Sequence, residues 1–176
     1  MLEKYYFTDK EKEELVKSMV ILVDTREQKN DHIVTWLDKK KIKWKSRALK
    51  QGDYSFYIEA NEALGISKDL YFDREIVVER KGSLEELSTN LTKERDRLEK
   101  ELTLAPRHKV LLVENANYSD VVDGNYRSEY NKKSYWASLH SFWHKYGIPV
   151  FFMPDSKYSG VFIKGYFEYY LKNILR

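Results

Sequence analysis

Two carboxylates and one lysine are spaced so that they can share a single site. Glu79 and Lys81 lie at the polar end of an apolar run, and the alternation of a β-strand places both side chains on one face, opposite Arg80. Asp53 opens a second run of strand character, Tyr54 to Ile58. If these two strands pair as neighbours, the carboxylates of Asp53 and Glu79 meet at a common edge.

Two carboxylates in one site repel each other unless a cation joins them. The sequence contains no cysteine and only four histidines, so the hard, oxygen-seeking ions Mg²⁺ or Mn²⁺ are expected. Such an ion activates water and stabilises charge on a phosphodiester, while a lysine neutralises the phosphate or orients the nucleophile. The pattern therefore indicates metal-dependent phosphodiester hydrolysis.

Several motifs carry a family resemblance. The arrangement of an acid, a spacer and Glu-x-Lys resembles the PD-(D/E)xK nuclease superfamily. More specifically, residues 23–27 (VDTRE), 52–54 (GDY) and 78–81 (VERK), the last followed by SLEEL at 83–87, resemble the nuclease domain of the XPF-type structure-specific endonucleases in order and rough spacing. The resemblance covers about residues 19–175, which is most of the chain.

The resemblance implies roles for individual residues. The catalytic set comprises Asp24, Glu27, Asp53, Glu79, Arg80 and Lys81, and the metal ligands among them are Asp24, Asp53 and Glu79. Each motif also has a plainer interpretation, because Gly-Asp is a common turn opener and Glu-Arg-Lys can end a solvated strand. The occurrence of all three motifs in the family's order favours the nuclease interpretation.

The helix after the Glu-Arg-Lys motif carries, in this family, an arginine followed four residues later by glutamine or glutamate. Arg97 and Glu101 fit that spacing, with Glu101 in a supporting role, and Arg95 with Glu99 is the next-best register. The same spacing also describes an ordinary surface ion pair, worth a few tenths of a kcal/mol. Both interpretations remain open at this point.

A basic stretch lies just before Asp53. Between Lys29 and Lys50 there are eight basic residues against two acidic ones, which predicts contacts to DNA phosphates beside the metal site. A solvated helix end and strand would explain the charge equally well. The candidate DNA-binding residues are Arg26, Lys43, Lys45, Arg47, Lys50, Tyr54, Arg95 and Arg97.

The composition fits one globular domain inside the cell. Apolar residues make up 42% and charged residues 34% of the 176 residues, as in soluble proteins with a substantial core. Residues 1–17 resemble no secretory signal, and no run approaches the length of a membrane span. We therefore expect an intracellular protein (cytoplasm or nucleoid, or host cytoplasm if phage-encoded) without membrane contact, with a helical appendage at 1–18 and the nuclease domain at 19–176.

Hydrophobic periodicity predicts an α/β fold with a mixed central sheet flanked by helices, and the family resemblance implies that this fold is restriction-endonuclease-like. The sheet should include an antiparallel meander that carries Asp53 and Glu79. Strands are predicted at 19–23, 42–49, 54–58, 76–81, 110–113 and 148–153, and helices at 8–17, 31–41, 83–104, 134–146 and 155–175. Residues 61–69 and 115–131 are predicted loops, and Glu114 resembles the acid that often follows this strand in the family.

The resemblance implies a Mg²⁺- or Mn²⁺-dependent endonuclease acting on branched DNA, such as a flap, fork or Holliday junction, during recombination, repair or phage DNA processing. The chain looks like small stand-alone relatives of phages and mobile elements, because it ends before the paired helix-hairpin-helix repeats that commonly follow the nuclease. A homodimer formed through the aromatic C-terminal helices is expected, as is a further replication or recombination protein as partner. Two alternatives are an inactive nuclease-like binding module and a restriction-like or nicking enzyme on ordinary duplex.

Overall fold

The computed structural model describes residues 6–175, in which seven strands form one mixed sheet between two layers of helices. The strands are β1 (Met19–Val23), β2 (Trp44–Ser46), β3 (Tyr54–Ile58), β4 (Leu70–Tyr71), β5 (Ile76–Lys81), β6 (His108–Glu114) and β7 (Val150–Met153). The helices are α1 (Asp9–Lys17), α2 (Asp31–Lys39), α3 (Leu84–Thr92), α4 (Arg95–Leu104), α5 (Tyr118–Asp123), α6 (Lys132–Tyr146) and α7 (Ser159–Ile174).

The strands follow the order β2-β1-β3-β5-β6-β7, and β4 pairs with β3. Strands β1, β3 and β5 are antiparallel neighbours, whereas β5, β6 and β7 run parallel. The parallel half needs crossover connections, and helices α3, α4, α5 and α6 provide them. The predicted α/β class, mixed sheet and antiparallel meander are confirmed.

The pairing of β3 with β5 fixes the positions of the two predicted carboxylates. Tyr54 lies opposite Val78, and the N–H of Asp53 donates to the carbonyl of Val78 at 2.9 Å. One further step of the same antiparallel register brings Asp53 opposite Glu79. The two acids therefore lie at one edge and on one face of the sheet, as the sequence predicted.

Two apolar layers hold the sheet. Helices α1, α2 and α7 pack on one face through residues such as Leu15, Leu37 and Phe167, none of which has exposed surface. Helices α3, α4, α5 and α6 cover the other face where β6 lies, around Leu111 and Val113. The face that carries Glu79 is thus covered on its parallel half by this second layer.

The helix predicted at 83–104 is two helices, α3 and α4, separated at Lys93 and Glu94. The apolar stripe explains the break, because no apolar residue lies between Leu91 and Leu98 to hold a continuous helix against the core. Both flanking segments keep their buried leucines. The chain can therefore change direction here without exposing apolar surface.

The strand predicted at 42–49 is only three residues long, β2. The N–H of Arg47 makes the last bond to β1, at the carbonyl of Val23, and the chain then crosses the end of β1 to reach β3. Leu49, in this crossing, is buried. The predicted strand was too long because the alternation of residue types continues beyond Ser46, where the chain turns to cross β1.

Three smaller differences concern the predicted loops and the closing helix. Residues 115–131 contain helix α5, which begins with a capping box between Asn117 and Asp120. Residues 61–69 contain a 3₁₀ turn, Glu62–Leu64, and lead into the short strand β4. The closing segment begins with a 3₁₀ turn, Ser156–Tyr158, before α7.

The N-terminal helix begins at the predicted capping box, in which Thr8 and Glu11 exchange bonds. Its buried residue Leu15 joins the same core as α7, while residues 1–5 lie outside the described residues. The predicted domain boundary between residues 18 and 19 stays a prediction. Within the described residues, no helix combines the length and apolar character needed to cross a bilayer.

Candidate active site

Asp53, Glu79 and Lys81 come together at the edge shared by β3 and β5. Lys81 Nζ lies 2.9 Å from Oε1 of Glu79, and the two side chains are only 12% and 16% exposed. The backbone N–H of Arg80 donates to Oδ2 of Asp53 at 2.7 Å. Strand alternation thus produces the cluster that the sequence predicted.

The electrostatics of this cluster are those of a crowded pair of acids with one cation. Burial, and then the charge of Glu79, raise the pKa of Asp53 well above its ordinary value. Burial alone would lower the pKa of Lys81, but the carboxylates of Glu79 and Asp53 outweigh it and the pKa is raised. Lys81 is therefore protonated. Its single positive charge does not offset both burial and the charge of Glu79, so the pKa of Asp53 stays raised.

The donor set fits a hard divalent ion. Within residues 6–175, Oδ1 of Asp53 and Oε2 of Glu79 have no hydrogen-bond partner, so each acid keeps one oxygen for a ligand. No three acidic or histidine side chains of the described residues gather into a group that could hold a metal. Mg²⁺ is commonly bound by only one or two carboxylates, with water and substrate phosphates completing its octahedron.

Asp24, the third predicted ligand, is engaged elsewhere. Its carboxylate is buried and accepts bonds from the backbone and side chain of Arg26 and from the backbone N–H of Leu49. Burial would raise the pKa of Asp24, but the bonds from Arg26 and Leu49 lower it overall. Asp24 therefore holds Arg26 in place, and the assignment of Asp24, Asp53 and Glu79 as metal ligands stays a prediction.

On the opposite face of β5, Arg80 joins two buried acids. Its Nη2 donates to Glu27 at 2.6 Å and its Nη1 to Glu114 at 2.7 Å. His32 then contacts the other oxygen of Glu114 at 2.8 Å. Burial opposes the charge of Arg80, but its bond to Glu27 and the field of both acids raise its pKa. These connected polar contacts hold β5 in place at the residue between Glu79 and Lys81.

Tyr54 belongs to this buried region and not to the surface. Its ring has no exposed area, so the predicted DNA contact by Tyr54 is corrected to a core position. Among the described residues its hydroxyl has no hydrogen-bond partner, and neither has Nε of Arg80. Burial, and then the charge of Glu27, raise the pKa of Tyr54, so the hydroxyl stays protonated.

A cleft of about 640 Å³ opens from Asp53, Glu79 and Lys81 toward helix α4. Its remaining cationic lining residues are Arg26, Lys29, Lys50, Arg80, Arg97, Lys100 and Lys109. Arg97 is paired with Glu101 at 3.0 Å, and both line the cleft. A negatively charged backbone that enters the cleft would pass these cations on the way to the carboxylates.

The alternative register on α4 faces another helix. Arg95 donates to Glu99 at 2.9 Å and lies 5.1 Å from the ring centroid of Phe142, while Glu99 also binds Lys145 and Tyr146 of α6. The bonds from Tyr146 and then Lys145 lower the pKa of Glu99 to about 2. Arg95 is thus placed at a helix interface with its side chain 40% exposed, and its predicted DNA contact stays a prediction.

The basic flank is distributed over two places. Lys50 lines the cleft, whereas Lys43, Lys45 and Arg47 lie on or beside the edge strand β2. Lys43 is paired with Glu59, and the guanidinium of Arg47 lies over a tyrosine ring. Lys45 is exposed, so its charge is available at the surface.

No sequence motif pointed to His32 as part of this region. It lies in the first turn of α2, in no motif, and its partner Glu114 is 82 residues away. Only Glu114 had a signal, as an acid directly after a buried strand. Such a contact depends on how α2 packs over the sheet, which no local pattern encodes.

A family model for the ERCC4 domain matches residues 23–166. Among solved structures, XPF from Aeropyrum pernix matches with a TM-score of 0.61 and 19% identity over 88% of this chain and 66% of that chain. XPF from Aeropyrum pernix in complex with DNA matches with a TM-score of 0.63 and 21% identity, with the same coverage. At these identities the structural matches show the fold.

The chain spans 66%, slightly less than two thirds, of the length of these XPF structures. No curated protein sequence matches it.

Proposed function

The chain belongs to the ERCC4 domain family, as its motifs predicted, and from this premise we propose that it is a Mg²⁺- or Mn²⁺-dependent endonuclease that cuts branched DNA. The observation that supports this best is the cluster of Asp53, Glu79 and Lys81 at the mouth of a basic cleft. Two acids beside one lysine are suited to a divalent ion, because the two carboxylates repel each other without a further cation, and the ion and the lysine can then face a phosphate.

In this proposal Asp53 and Glu79 hold the ion. When bound, the ion would act as a Lewis acid toward the phosphate and would lower the pKa of a coordinated water. Lys81 pairs with Glu79 and presents its protonated amine to the developing charge on the phosphate. Arg80, Glu27 and Glu114 act from the other face by fixing β5, and Arg80 and Glu27, which also line the cleft, complete the site.

Phosphate contacts outside the metal site come from the cleft and its flank. Arg26, Lys50 and Arg97 line the cleft, and Lys45 and Arg47 extend the basic surface along the sheet edge. Charges of this kind supply affinity without reading sequence. Such binding suits an enzyme that recognises the shape of its DNA substrate and not its base sequence.

A branched substrate is supported by the family relationship, and the XPF from Aeropyrum pernix was solved in complex with DNA. A flap, fork or Holliday junction arising in recombination, repair or phage DNA processing, inside the cell, is the proposed target. The proposal also includes a homodimer. Exposed apolar side chains of β7 and α7, namely Phe151, Val161 and Tyr169, support a contact surface there.

Cleavage of a labelled panel tests the proposal: linear duplex, 3′ flap, 5′ flap, fork and four-way junction, in Mg²⁺ and in Mn²⁺. The proteins are wild type, Asp53→Asn, and Asp123→Asn as a control at an exposed acid remote from the cleft. We expect wild type and the control to cut a branched substrate and Asp53→Asn to be inactive.

The panel also separates the alternatives. Equal cleavage of the linear duplex and the flaps would favour a restriction-like or nicking enzyme. If wild type cuts none of the substrates but shifts the junction on a gel, the chain is a binding module and the catalytic assignment is wrong.

A further inference from the structure

The sheet face that carries Asp53 continues across β3 and β4, beyond the cleft. Alternation along β3 places Tyr57 on the same face as Asp53, and β4 pairs Tyr71 directly with Tyr57. The small apolar cluster under this half of the face consists of Val20, Leu22, Leu49 and Tyr57. None of these residues belongs to a helix, so strands and the 47–53 crossing form this surface.

Arg47, Tyr71 and Tyr57 form a stack on this surface. The rings of Tyr57 and Tyr71 are nearly parallel, with centroids 4.9 Å apart and an interplanar angle of 20°. The guanidinium carbon of Arg47 lies 3.9 Å from the ring centroid of Tyr71. Tyr71 is 37% exposed and Tyr57 only 7%, so the stack rests on the core and presents its upper members to solvent.

Arg47 is available for a ligand. Its backbone N–H is bound to the carbonyl of Val23, which anchors the residue to β1. Among the described residues its guanidinium has no acidic partner, so the tyrosine ring is what orients it. A planar cation on an aromatic ring is an arrangement on which nucleobases stack.

The shape of the stack favours a base. Asp69 lies near the ring of Tyr57, while Glu59 is paired with Lys43, so the charges around the lower ring are mixed. Arg47 can contact a phosphate, as proposed for the basic flank, but a phosphate contact does not require a ring beneath the guanidinium. A planar base uses the whole flat surface that Arg47 forms on Tyr71.

The stack lies at a useful distance from the metal site. Asp53, directly before β3, and Tyr57 on β3 are four residues apart, which corresponds to about 13 Å at 3.3 Å per residue. DNA advances about 3.4 Å per nucleotide along a duplex axis. The stack is therefore a few nucleotides away from Asp53 on the same face.

We propose that Arg47 and Tyr71 form a stacking subsite for an unpaired DNA base. The subsite holds the single-stranded arm of a flap or fork while the duplex part occupies the basic cleft. This inference rests on the proposed function for the substrate class, and it identifies which part of a branched molecule the chain recognises. A linear duplex offers no unpaired base and gains nothing from the subsite.

Fluorescence of 2-aminopurine placed at successive unpaired positions of a flap tests the subsite, because stacking quenches this base. Binding is measured in EDTA, without cleavage, for wild type, Tyr71→Ala, Tyr71→Phe and Arg47→Ala. Tyr6→Ala is the control, since Tyr6 is fully exposed next to α1, on the side of the sheet opposite Asp53. Circular dichroism confirms that each variant is folded.

We expect wild type to quench the fluorescence of 2-aminopurine at one position near the branch. Tyr71→Ala should lose this quenching and bind the flap about tenfold more weakly, which is the usual scale for a lost base stack. Tyr71→Phe and Tyr6→Ala should behave as wild type, Arg47→Ala should weaken the flap selectively, and linear duplex affinity should change less than about twofold for Tyr71→Ala.

Unchanged quenching in Tyr71→Ala, or an equal loss of flap and linear duplex affinity, would overturn the subsite. The result is independent of catalysis. A protein that never cleaves DNA but quenches through Tyr71 would refute the nuclease and keep the subsite, whereas an active nuclease without quenching would do the reverse.

Discussion

The backbone N–H of Arg80 donates a 2.7 Å hydrogen bond to Oδ2 of Asp53, so the residue between Glu79 and Lys81 fixes the acid of the neighbouring strand. The side chain of Arg80 leaves on the other face and is held by Glu27 and Glu114. Backbone pairing, and not a mobile side chain, therefore sets the position of Asp53. The site is as rigid as the register between β3 and β5.

Replacing Asp53 by asparagine should stabilise the metal-free protein at neutral pH. Burial, and then Glu79, raise the pKa of this carboxyl, so the folded state binds its proton more tightly than the unfolded state does. Stability is then lost as the pH rises from the unfolded pKa, about 4, through the folded pKa. Thermal unfolding in EDTA at several pH values should show the Tm of wild type falling below that of Asp53→Asn over this range.

Asp123→Asn is the matched control for that comparison, because Asp123 is exposed and lies outside the cleft. Its Tm should follow that of wild type at every pH. A lower Tm for Asp53→Asn at neutral pH, or a Tm difference that does not grow with pH, would contradict the assigned burial of the charge.

Addition of Mg²⁺ or Mn²⁺ should reverse this penalty in wild type. A ligand that binds only the folded state stabilises by RT ln(1 + [L]/Kd), which is about 2.7 kcal/mol at one hundred times Kd. The rise in Tm should be absent in Asp53→Asn and in Glu79→Gln but present in Glu62→Gln, a control at an exposed acid. Calorimetric metal titration that is equal in Glu79→Gln and wild type would exclude Glu79 as a ligand.

Gly52→Ala should disrupt the site more than the same change at Gly65. Both glycines have positive φ, 73° and 71°, so alanine strains the backbone at both by about 1–2 kcal/mol. At Gly52 the new Cβ would also lie 2.7 Å from Cβ of Val77, whereas at Gly65 it meets nothing within 4 Å. β3 must therefore move away from β5 at Asp53.

The measurements are urea unfolding and cleavage rate for both variants. We expect Gly65→Ala to lose only the backbone term and to keep wild-type cleavage. Gly52→Ala should be less stable than Gly65→Ala and lose most of its activity. Equal stabilities would show that the contact with Val77 is relieved without cost.

Arg80→Met should destabilise the fold strongly. The change leaves Glu27 and Glu114, both less than 10% exposed, without their shared cation, and removing one partner of a buried ion pair costs about 3–5 kcal/mol. Arg97→Met is the control, because the Arg97–Glu101 pair is exposed and such pairs contribute about 0.3–0.5 kcal/mol. Urea unfolding gives both free energies, and similar losses would mean that Arg80 is not a structural anchor.

Much of this arrangement could be predicted from the sequence because it depends on strand alternation. The period of two places Glu79 and Lys81 together wherever β5 is a strand, and Asp53 joins them if β3 is its neighbour. The choice between Arg97 and Arg95 could not be made in this way. Both have a glutamate four residues later, and only the rotation of α4 on the sheet decides that Arg97 faces the cleft.

Contacts between distant segments were the other limit. Asp24 is a residue type that commonly binds metals, yet its carboxylate oxygens accept hydrogen bonds from Arg26 and Leu49. Tyr54 belongs to a motif next to the site, yet strand alternation turns its ring into the core. The contact between Asp24 and Leu49 follows from the crossing of β1 by residues 47–53, which depends on tertiary structure.

Dimer formation through β7 and α7 is the last prediction. β7 is at the edge of the sheet, and Phe151 on it packs with Phe162 of α7 while remaining 45% exposed. Val161, on the same helix, is 48% exposed. Light scattering should give twice the chain mass of 21.1 kDa for wild type and the single mass for Val161→Asp.

Val122→Asp is the matched control, because Val122 is 45% exposed on α5, in the helical layer on the other face of the sheet. The same charge placed there should leave the dimer intact if β7 and α7 form the contact. Dissociation by Val122→Asp but not by Val161→Asp would move the interface to α5 and α6. A single chain mass for wild type at assay concentration would refute the dimer itself. The aromatic residues of α7 would then be explained by their burial in the core.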